Sequence, residues 1–67
     1  MLNYNEAIQD YNKALELNPE SNETYLLRAR AKSQIDDTTA CDDLKKAHEL
    51  GVEFTFEDNT LMLKVCK

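Results

Sequence analysis

The stretch from Ala7 to Leu17 is written twice in this chain, and no other feature constrains the fold as much. A shift of 33 residues lays Ala7 on Ala40, Asp10 on Asp43, Lys13 on Lys46, Ala14 on Ala47, Glu16 on Glu49 and Leu17 on Leu50, six identities in eleven positions. Tyr11 falls on Leu44, one bulky core-type side chain on another. Self-similarity at a period of about 20 to 50 residues marks a chain built from stacked supersecondary units. A unit of that kind buries its apolar face only against a neighbour, so stacking is itself the fold.

Composition bounds what the stack can do. A chain of 67 residues is one domain at most, and it buries a modest share of its surface. One glycine and one proline argue for few and short connections. A net charge of −5 repels phosphate backbones and anionic membrane surfaces, so neither nucleic acid nor a membrane surface is an expected partner. No apolar run approaches the roughly 20 residues that membrane insertion of a helix requires, and Met1-Leu2-Asn3-Tyr4 lacks the regions of a signal peptide.

Along the chain, Asn3 and Glu6 read as a capping box that starts a helix over residues 3–17. Tyr4, Ala7, Ile8, Tyr11, Ala14 and Leu15 share one broad stripe of it, and Asn18-Pro19 ends it. Ser21 or Asn22 caps a second helix over 22–35. Its core side holds Tyr25, Ala29, Lys32 and Ile35, while Glu23, Leu26, Arg30, Ser33 and Gln34 form a mixed face. The Asp36 to Thr39 turn leads into a third helix, 39–50, in which Ala40, Cys41, Leu44, Ala47 and His48 repeat the first stripe and Gly51 is the stop. Residues 52–57 alternate apolar and polar. They read as an extended connector that tucks Phe54 and Phe56 into the core, or as a strand pairing with a second copy. Thr55 and Asp58 cap a last helix, 57–66, with Leu61, Met62, Val65 and Cys66 on one face and Lys64 and Lys67 at its end.

The chemistry-bearing residues form no site that this spacing supports. Asp36, Asp37, Asp42 and Asp43 do not follow the alternation of a calcium loop and read as solvated helix-start charge. Cys41, His48 and Cys66 fall short of the four close ligands of structural zinc, and the lone histidine reads as an edge-of-core residue. No nucleophile–base pair or glycine-rich phosphate loop is present, so no catalytic residue, metal or cofactor is expected and the chain does not read as an enzyme.

Ala7, Tyr11, Ala14 and Pro19, then Tyr25 and Ala29, then Ala40, Leu44 and Ala47, resemble the tetratricopeptide repeat, a helix-turn-helix unit of about 34 residues. The likeness runs from Asn3 to Gly51. Ala40-Cys41-x-Asp43-Leu44-x-x-Ala47-x-x-Leu50-Gly51, followed by a helix ending in Cys66-Lys67, is similar to the C-terminal ends of bacterial proteins of this kind. Here the period is one residue short, Lys32 stands where an aromatic is usual, and no glycine fills the Asp36-Asp37 turn. The resemblance implies an all-α fold, an antiparallel helix-turn-helix stack of about one and a half repeats plus a capping helix, as one domain over residues 1–67. It also implies a non-catalytic protein–protein interaction module binding a peptide or partner protein. The contact face would be Glu23, Leu26, Arg30, Ser33 and Gln34. The alternative is a structural cap or self-assembly segment of a longer stack.

With no first helix ahead of Asn3 to cover the first stripe, Tyr4, Ile8 and Tyr11 are expected to self-associate, as a homodimer, or to pack on upstream repeats. The cysteines carry a second expectation. If the last two helices pack antiparallel, Cys41, nine residues before Leu50, and Cys66, nine after Glu57, lie level at about 13.5 Å from the connector. A disulfide there stabilises by about 3 kcal/mol in the loop-entropy account. The other reading is two reduced thiols packed as small apolar groups. Compartment stays open with it, cytoplasmic if Met1 is the native start and extracytoplasmic if a fragment carries the disulfide.

Overall fold

The computed structural model describes residues 3–66, and it is all-α: α1 (Tyr4–Leu17), α2 (Asn22–Gln34), α3 (Ala40–Glu49) and α4 (Phe56–Val65). Lys67, expected to favour the last helix end, lies outside the described residues. Residues 52–55 are an extended connector, and there is no strand among the described residues.

The turns carry their chemistry locally. Asn3 Oδ1 accepts from Glu6 N at 3.1 Å, which is the N-cap half of the expected box. At α4 both halves are made, Asp58 N donating to Thr55 Oγ1 and Thr55 N to the Asp58 carboxylate. Gly51 sits at φ 103° and ends α3, with Gly51 N donating to His48 O and Val52 N to Ala47 O. That paired pattern is the Schellman stop. The end of α2 uses the same device without a glycine. Asp36 takes φ 55° there, with Asp36 N on Ser33 O and Asp37 N on Lys32 O. Asp37 then turns the chain into α3, its Oδ1 accepting from Thr39 N and Thr39 Oγ1.

The core lies where α2 meets α3. Ala29, Ala40, Leu44 and Ala47 are fully buried, and four alanines counting Ala31 let the backbones approach. Asn22 Nδ2 reaches across to Leu50 O and satisfies a helix-end carbonyl. α1 touches α2 and no other helix, and α4 lies against both α2 and α3. Cys41 and Cys66 are joined as a disulfide with Cα atoms 5.1 Å apart, which ties the start of α3 to the end of α4.

Several core assignments differ from expectation. Phe56 is 86% exposed, because the Thr55 cap makes it the first residue of α4, so helical geometry and not strand alternation sets where its ring lies. Phe54 alone turns in, half-buried, and packs on His48 with ring centroids 5.3 Å apart. His48 is therefore exposed over the connector rather than at the core edge. Ala14 and Ile35 are also exposed: α1 has α2 on one side only, and Ile35 falls at the α2 cap.

Candidate interaction surface

Charged side chains lock α2 into place. Asp43 is 4% exposed, on the same inward stripe as Ala40, Leu44 and Ala47. Arg28 grips it as a fork, Nε to Oδ2 at 2.8 Å and Nη2 to Oδ1 at 2.6 Å. Lys32 Nζ completes the cluster at 2.9 Å from Oδ2. A buried carboxylate needs such compensation, and a bidentate guanidinium supplies it with fixed geometry. This corrects the reading of Asp43 as solvated helix-start charge, and it gives Lys32 a partner where an aromatic would only pack. Arg28 Nη1 also donates to Asn12 on α1 at 2.9 Å, so one guanidinium links three helices.

A second pair anchors α4. Arg30 Nη2 donates to Asp58 Oδ1 at 2.7 Å, with Asp58 only 2% exposed and the Arg30 side chain 46% exposed. Burial pushes the Asp58 carboxyl up, but the bonds from Arg30 and from the Thr55 backbone outweigh it and hold the group below the ordinary carboxylate range. Asp37, bonded by the Thr39 hydroxyl and backbone N–H, is also lowered.

Beside these anchors runs a groove of about 230 Å³ between α1 and α2. Tyr4, Ala7 and Tyr11 line it from α1, and Leu27, Ala31 and Gln34 from α2, with Arg30 on its rim. Two tyrosines over alanine gaps make a concave, largely apolar surface with polar tips. Of the residues expected on the α2 face, Arg30 and Gln34 reach this groove, Glu23 is exposed on the first turn, and Leu26 is half-buried. Ser33 is different: it is buried, its hydroxyl donates back to Arg30 O at 2.7 Å, and it is not part of this groove. Of the α1 residues, Tyr4 and Tyr11 line the groove, and Ile8 is half-buried outside its lining. Another hollow, of about 410 Å³, lies between Ser33 at the end of α2 with the Asp36–Thr38 turn and Lys64 and Val65 at the end of α4. It is bounded by a turn and the ends of two helices, not by two helix faces, so it offers no stripe for a helix or peptide to follow.

No cluster of three or more His, Cys, Asp or Glu is placed to hold a metal ion among the described residues. No helix among them is long and apolar enough to cross a membrane.

Comparison with known proteins adds a family. The family described as Tetratricopeptide repeat matches residues 1–21, which contain α1 and its following turn. The protein is also similar to "Protein SGT1 homolog" from Oryza sativa subsp. japonica, 36% identical over 66 residues. That alignment takes in 96% of this chain, and the chain spans 17% of the length of that relative. No solved structure matches. The 33-residue self-match, the stack of antiparallel helices and the family match over α1 agree, and together they support a tetratricopeptide-repeat assignment.

Proposed function

We propose that this chain is a non-catalytic protein-interaction module whose contact surface is the groove between α1 and α2. A tetratricopeptide-repeat assignment implies work by protein–protein contact, and the concave groove between α1 and α2 supports that surface as the point of contact. The observation that carries the reading is the pairing of Tyr4 and Tyr11 with Leu27 and Ala31 across a cleft of about 230 Å³, rimmed by Arg30 and Gln34. Tyrosine gives large contact area at low entropy cost, and the rim side chains fix register. Since the chain spans 17% of its curated relative, what the whole of a longer protein binds is part of this proposal and not a premise of it.

Panning a displayed peptide library against the full chain, then mapping the recovered peptides by amide chemical shifts, tests the reading. Shifts are expected at Tyr4, Ala7, Tyr11, Leu27 and Ala31, and Tyr11→Ala is expected to weaken binding about tenfold or more. Shifts gathered instead on the outer side of α4, where Phe56 and Leu63 are exposed, would overturn it.

A second reading is a capping or self-assembly segment of a longer stack, and the half-buried Tyr4, Ile8 and Tyr11 favour it. Sedimentation at micromolar concentration discriminates the two. A homodimer whose mass falls when Tyr11 is cut to alanine supports self-assembly, and a monomer at every concentration excludes the homodimer.

A further inference from the structure

The two copies of the repeated helix are not equally covered, and the covered one shows what the open one lacks. On α3, Ala40, Asp43, Leu44 and Ala47 are buried where α2 lies against it. One repeat earlier the same positions are Ala7, Asp10, Tyr11 and Ala14. Ala7 and Tyr11 are half-buried, Asp10 and Ala14 are exposed, and Asp10 has no ion-pair partner among the described residues. The neighbouring stripe differs between the copies: Leu15 is buried where α1 meets α2, the one helix that α1 touches, while its counterpart His48 is exposed and packs on Phe54 of the connector. The uncovered stripe of α1 therefore sits where α3 receives a helix from the preceding segment.

We propose that Ala7, Asp10, Tyr11 and Ala14 form a docking site for a helix from a partner protein that carries Arg and Lys four residues apart around an alanine, as Arg28-Ala29-x-x-Lys32 does against α3. The proposal deepens the reading above and rests on it. Asp10 calls for the base pattern, because its counterpart Asp43 takes a guanidinium fork and an ammonium together. Ala7 and Ala14 call for the alanine, because the fully buried Ala29 is what lets α2 approach Ala40 and Ala47. The groove gives the incoming helix a second wall, Leu27 and Ala31 of α2. A second copy fits poorly. Its Arg28 and Lys32 are already held by its own Asp43, so lending α2 strips one helix to cover another, and two chains of net charge −5 repel.

The probe is a synthetic peptide of residues 22–35, held helical by a side-chain bridge between positions 26 and 30, away from Arg28 and Lys32. It is titrated into the isotope-labelled, disulfide-bonded full chain. Saturable amide shifts at Ala7, Asp10, Tyr11 and Ala14 are expected. The same peptide with Arg28→Glu and Lys32→Glu is expected to bind at least about tenfold more weakly. Asp10→Lys in the protein, an exposed change that leaves the helical spectrum intact, is expected to reverse that preference. Equal binding of both peptides to both proteins would overturn the basic-helix inference while leaving the interaction surface standing. Shifts on Ala40, Leu44 and Ala47 instead, or the α1 shifts arising with concentration in the unliganded protein as a dimer forms, would also overturn it. If neither these peptides nor any library peptide perturbs α1, the inference and the proposed contact surface both fall.

Discussion

α3 and α1 carry one helix pattern 33 residues apart, yet α3 is sealed and α1 stands half open. Leu44 is 0% exposed while Tyr11, at the same place in the pattern, is half-buried on a groove. Asp43 is gripped by two bases, and Asp10 faces out alone among the described residues. The pattern therefore specifies a stripe that asks for a helix, and neighbours decide whether it receives one. In a stacked fold, stability and binding draw on the same surface.

The widest gap between the copies should come from cutting the core. Leu44→Ala is expected to cost about 3 kcal/mol in urea unfolding, enough to unfold a domain of this size, and Tyr11→Ala less than about 1 kcal/mol. Equal costs would mean that α1 is as sealed as α3. Reducing Cys41–Cys66, which closes α4 onto the sealed copy, is expected to cost about 3 kcal/mol in the loop-entropy account, read as a drop in the thermal midpoint with reductant.

Charge sharpens the comparison. Asp43→Asn leaves two largely buried bases without their counter-charge and is expected to cost about 2 to 3 kcal/mol, whereas Asp10→Asn should stay within about 0.5 kcal/mol. Asp58 gives the contrast a pH dependence. Its folded carboxyl lies below the ordinary range, so its contribution is complete above the unfolded value near pH 4 and is lost as pH falls through the folded one. Wild type should lose stability on acidification that Asp58→Asn does not. The variant costs about 1 kcal/mol at pH 7 through the cap, with the half-exposed Arg30 adding little.

Much of the frame was legible beforehand, for reasons that are local. The repeat, the stripes of Tyr11 and Leu44, the Thr55–Asp58 cap and the Gly51 stop all depend on residues within a turn or two of one another. What escaped local patterns links distant segments. Asp43 looks like helix-start charge until Arg28 and Lys32 are brought across from α2, and Asp58 looks like a cap until Arg30 meets it. One signal was within reach: Asp43 shares the stripe of Ala40, Leu44 and Ala47, and recurs at Asp10. Phe56 was misread because alternation over residues 52–57 overlaps the first turn of α4.

The smallest effect concerns the turn that sets α2 against α3. Asp36 holds a left-handed conformation at φ 55° that glycine takes without steric cost. Asp36→Gly is expected to raise stability by about 0.5 kcal/mol, visible as a small rise in thermal midpoint.

Amide hydrogen exchange on the free, monomeric protein tests the central contrast most directly. Residues 10–15 of α1 are expected to open at least about 1 kcal/mol more easily than residues 43–48 of α3, and to gain protection when the basic helical peptide saturates the chain. Equal protection of the two helices in the free monomer would contradict the account.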